Sequence, residues 1–118
     1  ERVLVIDDDL AALESTVALL ASWGLTPISA ESGEQALCLL QNETAPSLIV
    51  CDYRLPQTNG IDLLRMMHTR METKVPAILI SGDTGAEAVA AMQASGFPVM
   101  YKPVRPAKLR ALITSLLC

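Results

Sequence analysis

The chain has 118 residues, 51% of them hydrophobic and 19% charged, which excludes a disordered segment and suffices for one domain with its own core. Its formal net charge of −4 offers no electrostatic attraction to nucleic acid or to an anionic membrane. No apolar run reaches the about 20 residues that a spanning helix needs, and the opening ERVLVIDDD has no signal-peptide pattern, so a soluble, cytoplasmic domain without membrane contact is expected.

The first apolar run, Val3 to Ile6, reads as a strand and ends in three consecutive aspartates, Asp7, Asp8 and Asp9. Leu10, Leu13, Val17 and Leu20 then recur at helical spacing and predict an amphipathic helix with that stripe against the core. A second strand, Pro27 to Ala30, leads to Ser32 and Gln35, a capping box ahead of a helix striped by Ala36, Leu37 and Leu40. The third strand, Leu48 to Cys51, is apolar and stops at Asp52; RLPQTNG then reads as a loop before a helix striped by Leu63, Leu64 and Met67. The fourth strand, Ala77 to Ile80, ends in Ser81, and Val89 and Met92 mark the helix behind it. Pro98 to Tyr101 is the fifth strand, closed by Lys102, and Pro106 opens a last helix striped by Leu109, Leu112, Ile113 and Leu116. Gly24 and Gly96 suit helix ends.

Short runs, apolar throughout in three cases, are what parallel strands covered on both faces look like. Strand and helix alternate five times without linker or repeat, which predicts an α/β domain over residues 1–118 with a doubly wound five-stranded parallel sheet. Cys38, Cys51 and Cys118 show no ligand-like spacing, their odd number fits a reducing cytoplasm, and Cys51 reads as a small core residue. His68, the only histidine, reads as a solvated helix residue, so zinc and a Ser-His-Asp triad have little support.

In doubly wound sheets the working site lies beyond the carboxyl ends of the strands. That rule brings Asp7, Asp8, Asp9, Asp52, Ser81 and Lys102 to one rim. Asp7, Asp8 and Asp52 would repel one another there unless a cation lay between them, and an all-oxygen set suits Mg²⁺, with Mn²⁺ as a substitute. A carboxylate beside such a metal can attack phosphorus to give an aspartyl phosphate, with Lys102 and Ser81 as donors to the phosphoryl oxygens. Singly, each residue has a plainer reading: helix-capping aspartates, a turn serine, a loop lysine. The agreement of four strand ends favours the site.

VLVIDDD, LIVCDYRLPQTNG, AILISGDTG and YKPV, in that order and over essentially the full length, resemble the receiver domain of two-component response regulators. The resemblance implies a flavodoxin-like (βα)5 receiver fold with sheet order 2-1-3-4-5. It implies Asp52 as the acceptor of a phosphoryl group from a histidine kinase or phosphotransfer domain, in cis or in trans. Mg²⁺ would be held by Asp7, Asp8, Asp52 and the backbone carbonyl of Arg54. Ser81 corresponds to the switch hydroxyl, Lys102 to the lysine that pairs with phosphate, and Lys102–Pro103 to a cis peptide bond. Two positions depart from the common pattern. Val99 stands where many receivers carry Tyr or Phe, which argues against aromatic switching there, and Gly82 stands where Ala is usual, which opens access to the phosphate. SGDTG followed by YKPVRPAKLRALI resembles receivers at the C-terminus of hybrid sensor histidine kinases, which relay or sink phosphate.

Two other functions would use the same rim. A small haloacid-dehalogenase-like phosphatase would take Asp7 as nucleophile and Asp9 as acid/base, although Ala11 replaces the expected threonine. A flavodoxin-like cofactor binder would need a phosphate-cradling loop after the first strand, where three aspartates instead repel phosphate.

Overall fold

The computed structural model describes residues 1–42, 45–72 and 74–117. In chain order its elements are β1 (Arg2–Ile6), α1 (Leu10–Ser22), β2 (Thr26–Ala30), α2 (Gly33–Asn42), β3 (Leu48–Asp52), β4 (Arg54–Leu55), β5 (Thr58–Asn59), α3 (Gly60–Arg70), β6 (Ala77–Ser81), α4 (Ala86–Ser95), β7 (Val99–Tyr101) and α5 (Pro106–Leu117). Five strands form a parallel sheet in the order β2-β1-β3-β6-β7. Numbered among themselves along the chain, they run 2-1-3-4-5, the order that the receiver resemblance implies.

The two-residue alternation of strand side chains builds the layers. Leu4, Ile6, Ile49, Cys51, Ala77 and Leu79 face α2, α3 and α4; Val3, Val5, Leu48, Val50, Ile78 and Ile80 face α1 and α5. Every residue of β3 and β6 is buried, which is why these strands lack the apolar–polar alternation of a half-wet sheet. Each fully buried Leu or Ile contributes about 1.5–3 kcal/mol to this arrangement.

Both strands run one residue beyond their apolar stretch. Asp52 still pairs with Ile80, and Ser81 with Tyr101. A polar side chain ends the sequence pattern, but the backbone ladder continues through it and holds the polar group rigidly. The segment expected as a loop contains a small antiparallel ribbon instead, Arg54 opposite Asn59 and Leu55 opposite Thr58. Leu55 anchors it in the core, and Gln57 turns the chain at φ 66°. The ribbon returns to Gly60, whose N–H donates to the Tyr53 carbonyl at 2.8 Å. A Cβ on Gly60 would lie 2.6 Å from the Asp52 carbonyl oxygen, so a side chain here would push directly on the backbone of the site.

The helix stripes are largely as expected, with two corrections. Leu10, placed in the core stripe from its spacing, is 54% exposed. It is the first residue of α1, ahead of the turn whose face meets the sheet. In α4 the residues turned inward are Ala88 and Met92, four apart, while Val89 is only partly covered. Gly24 and Gly96 take φ 82° and 84° at the ends of α1 and α4, where residues with a Cβ would be strained. Gln35 N–H donates to Ser32 Oγ at 3.1 Å, but its side chain accepts from Glu31 N–H, one residue earlier than in a regular capping box.

His68 is also corrected. At the amino-terminal rim its Nε2 lies 2.7 Å from the Val75 carbonyl, and its ring packs tilted against Phe97 at 5.8 Å between centroids. It joins α3 to the start of β6 and to the approach to β7, and lines a cleft of about 640 Å³ with Arg65 and Lys74. Cys51 is buried in the core as expected, Cys38 is an exposed free thiol, and Cys118 lies outside the described residues. Among the described residues no helix is long and apolar enough to cross a membrane.

Candidate functional site

The carboxyl rim of the sheet assembles its polar groups from separate strands. Asp7 follows β1 directly; its N–H donates to the Ala30 carbonyl at 3.1 Å, and its Oδ1 accepts the Asp9 N–H at 3.0 Å. Asp52 ends β3, the strand between β1 and β6. Asp7 and Asp52 are each 7% exposed, whereas Asp8 is open to solvent. One carboxylate oxygen from each of Asp7, Asp8 and Asp52 lies within 4.8 Å of the others. Lys102 follows β7, anchored by its N–H to the Ser81 carbonyl at 2.8 Å. Its Nζ lies 3.7 Å from Asp7 Oδ2 and 3.7 Å from Asp52 Oδ1.

Two carboxylates, Asp7 and Asp52, thus share one ammonium group, with Asp8 beside them. Burial, and then repulsion from Asp7, push the Asp52 carboxyl up to about 6 against the pull of Lys102. The neighbouring Cys51 thiol is pushed far above its ordinary value by burial and then by Asp52 and Asp7, which keeps it neutral and unreactive. The donor set is all oxygen, two of its members are nearly buried, and negative charge is in excess. These residues fit a hard divalent cation.

Asp9 is not part of this cluster. Its Oδ1 accepts the N–H groups of Ala11 at 3.1 Å and Ala12 at 3.3 Å, capping α1. Ser81 is fully buried at the neighbouring strand end, but its hydroxyl is engaged with the following loop. It accepts the Asp83 N–H at 2.9 Å and donates to the Asp83 carbonyl at 3.3 Å. The Lys102–Pro103 bond is cis. Gly82 is not sterically required, since a Cβ there would meet only Lys102 Cδ at 3.8 Å.

One contact of the site is not legible in the sequence. The resemblance involves Arg54 only through its backbone carbonyl, yet its guanidinium reaches across the mouth of the site to Asp83, with Nε 3.0 Å from Oδ2 and a second nitrogen on the same oxygen. Asp83 Oδ1 accepts the Gly85 N–H at 2.9 Å. That bond and then the guanidinium hold the Asp83 carboxyl below the usual range. Asp52, Arg54, Gly82, Asp83 and Lys102 line a cavity of about 420 Å³. SGDTG signals a turn through its aspartate, but nothing local points to a partner 29 residues away.

A five-stranded parallel sheet with this acidic rim defines a receiver, and residues 3–114 match the family model of the response regulator receiver domain. The chain belongs to that family. The DNA-binding response regulator MtrA of Mycolicibacterium paratuberculosis is 30% identical over 114 residues, covering 96% of this chain and 49% of the relative. A receiver domain protein (CheY-like) of Methanospirillum hungatei superposes with a TM-score of 0.87 at 29% identity, covering 99% of this chain and 93% of that one. A response regulator receiver protein of Pseudomonas putida does so with a TM-score of 0.86 at 29% identity, covering 97% and 95%. The chain spans about half the length of the curated relatives it matches. Family membership sets aside the flavodoxin-like alternative and the phosphatase alternative with its Asp7 nucleophile; for the latter, the proposed acid/base Asp9 is in any case bound to helix amides.

Proposed function

We propose that Asp52 accepts a phosphoryl group from the phosphohistidine of a histidine kinase or phosphotransfer domain, in cis or in trans. The chain then acts as a phosphorylation switch. The observation that carries this reading is the convergence of Asp7, Asp8 and Asp52 within 4.8 Å beside the Lys102 ammonium.

Asp7, Asp8, Asp52 and the Arg54 backbone carbonyl would hold Mg²⁺, or Mn²⁺ in its place. When bound, such a cation neutralises charge on the phosphoryl oxygens. An Asp52 Oδ attacks phosphorus: the O–P bond forms as the P–N bond to imidazole breaks, and the imidazole leaves with the electron pair and takes up a proton. Lys102 Nζ, already 3.7 Å from Asp52, donates to one phosphoryl oxygen. Ser81 donates to another once it leaves Asp83, and with Val99 in β7 it does so without an aromatic partner at that position. The added charge of about −1.5 to −2 is the signal that the rest of the domain reads.

We place the domain in the cytoplasm. The tail YKPVRPAKLRALI supports a hybrid sensor histidine kinase as its parent, whereas relatives such as MtrA are DNA-binding response regulators. Transfer from a kinase on the same polypeptide, rather than a separate one, distinguishes these settings.

Intact-protein mass after incubation with Mg²⁺ and acetyl phosphate tests the assignment. One phosphoryl adduct is expected on the native chain and none on Asp52→Asn or after chelation. An adduct that persists on Asp52→Asn overturns it.

A further inference from the structure

The ion pair between Arg54 and Asp83 connects parts of the rim that the backbone does not. Arg54 belongs to the β4–β5 ribbon that follows the Asp52 strand. Asp83 belongs to the loop between β6 and α4, and three groups converge on it. Its backbone N–H and carbonyl engage the Ser81 hydroxyl, one carboxylate oxygen accepts from Gly85, the residue capping α4, and the other meets Arg54. Arg54 and Asp83 also line the same 420 Å³ cavity as Asp52 and Lys102. A phosphoryl group on Asp52 would therefore enter a space walled by one arginine and one carboxylate that neutralise each other.

Two anions would then compete for one guanidinium. A phosphoryl dianion offers more charge and more acceptor oxygens than a single carboxylate, and it suits the planar fork of arginine. The resting pair is exposed on the arginine side, so exchange requires no repacking. We propose that Arg54–Asp83 is a latch across the mouth of the site, and that a phosphoryl group on Asp52 opens it by drawing Arg54 away from Asp83. Arg54 becomes a positioning residue for the phosphoryl group. Asp83, left without its cation beside a new dianion, moves off and releases both the Ser81 hydroxyl and the Gly85 amide at the start of α4. The latch links occupancy of Asp52 to the two groups that must move, and it rests on the reading of Asp52 as acceptor.

The two halves of the pair have opposite roles in this scheme, which makes it testable on these two side chains alone. Adduct formation from acetyl phosphate with Mg²⁺ is followed by intact mass at low ionic strength for the native chain, Asp83→Asn, Arg54→Gln and the double variant. Asp83→Asn frees Arg54 in advance and is expected to speed the reaction about two- to fivefold; Arg54→Gln removes the phosphoryl partner and is expected to slow it by a similar factor. In the Arg54→Gln background, Asp83→Asn should lose most of its effect. Both differences should shrink in high salt. In parallel, the Arg54 Nε–H resonance of the native chain should move on adding beryllofluoride with Mg²⁺, and in Asp83→Asn it should start displaced. Single variants that change the rate in the same direction overturn the latch, because a merely structural pair is broken equally from either side. A full-sized Asp83→Asn effect without Arg54 overturns it too, since Asp83 would then only repel the donor. If the native chain takes an adduct and Arg54 does not respond, the latch fails while the Asp52 assignment stands. If neither acetyl phosphate nor a phosphohistidine donor labels the native chain, both fall.

Discussion

At the carboxyl ends of the strands, Asp7, Asp8 and Asp52 crowd together, two of them beside one lysine; at the amino ends, His68 bonds the Val75 carbonyl and rests on Phe97. Both rims belong to the same sheet, but the acidic one buries Asp7 and Asp52 more deeply than the other buries His68, and only it leaves its polar groups in conflict. The second rim carries stability in its polar contacts. The first gives some up, since like charges held together in a partly buried site oppose folding until something of opposite charge arrives. Removing a polar group should therefore have opposite effects at the two ends.

The largest effect expected comes from the backbone that supports the acidic rim. Gly60→Ala places a Cβ 2.6 Å from the Asp52 carbonyl oxygen and 2.8 Å from Leu79 Cδ2, and should cost about 2–3 kcal/mol in urea unfolding followed by Trp23 fluorescence. Next is the charge conflict itself. Asp52 binds its proton more tightly when folded, with its value raised from 3.8 to about 6, so the metal-free chain should lose stability as pH rises through that window. Asp52→Asn should flatten this slope and be more stable than the native chain near pH 7 by on the order of 2 kcal/mol. Mg²⁺ should raise the native midpoint more at pH 7.5 than at pH 5. Equal stabilisation at both values would remove the conflict from the account.

At the opposite rim the sign reverses. His68→Leu leaves the Val75 carbonyl without its donor and should destabilise by about 1 kcal/mol in the same assay. If it stabilises the chain as Asp52→Asn does, the distinction between the rims fails. Gly82→Ala should matter least, within about 0.5 kcal/mol, because the new methyl has room 3.8 Å from Lys102 Cδ.

The sheet was legible in the sequence because strands buried on both faces are continuous apolar runs, and a polar residue at their end stands out. Asp7, Asp52, Ser81 and Lys102 were all found by that contrast. Asp83 was not, because its meaning depends on an arginine 29 residues away, and both lie in stretches that read as loops in the sequence, where charged residues are ordinary. Leu10 misled because periodicity fixes an angle around the helix and not the point at which the helix meets the sheet. His68 misled for the related reason that Phe97, which covers its ring, arrives from the far side of α4. The β4–β5 ribbon is too short for any period to reveal.

The order in which the site is completed follows from where its members lie along the chain. Asp7, Asp8 and Asp52 are all present by the end of β3, whereas Lys102 comes only after β7, the edge strand paired with β6. During synthesis, the early strands can associate only by bringing three carboxylates together without their lysine. A ribosome that stalls before β7 would leave a nascent chain whose acidic rim lacks the Lys102 ammonium. Completion of the site therefore waits for β7 and the lysine that follows it.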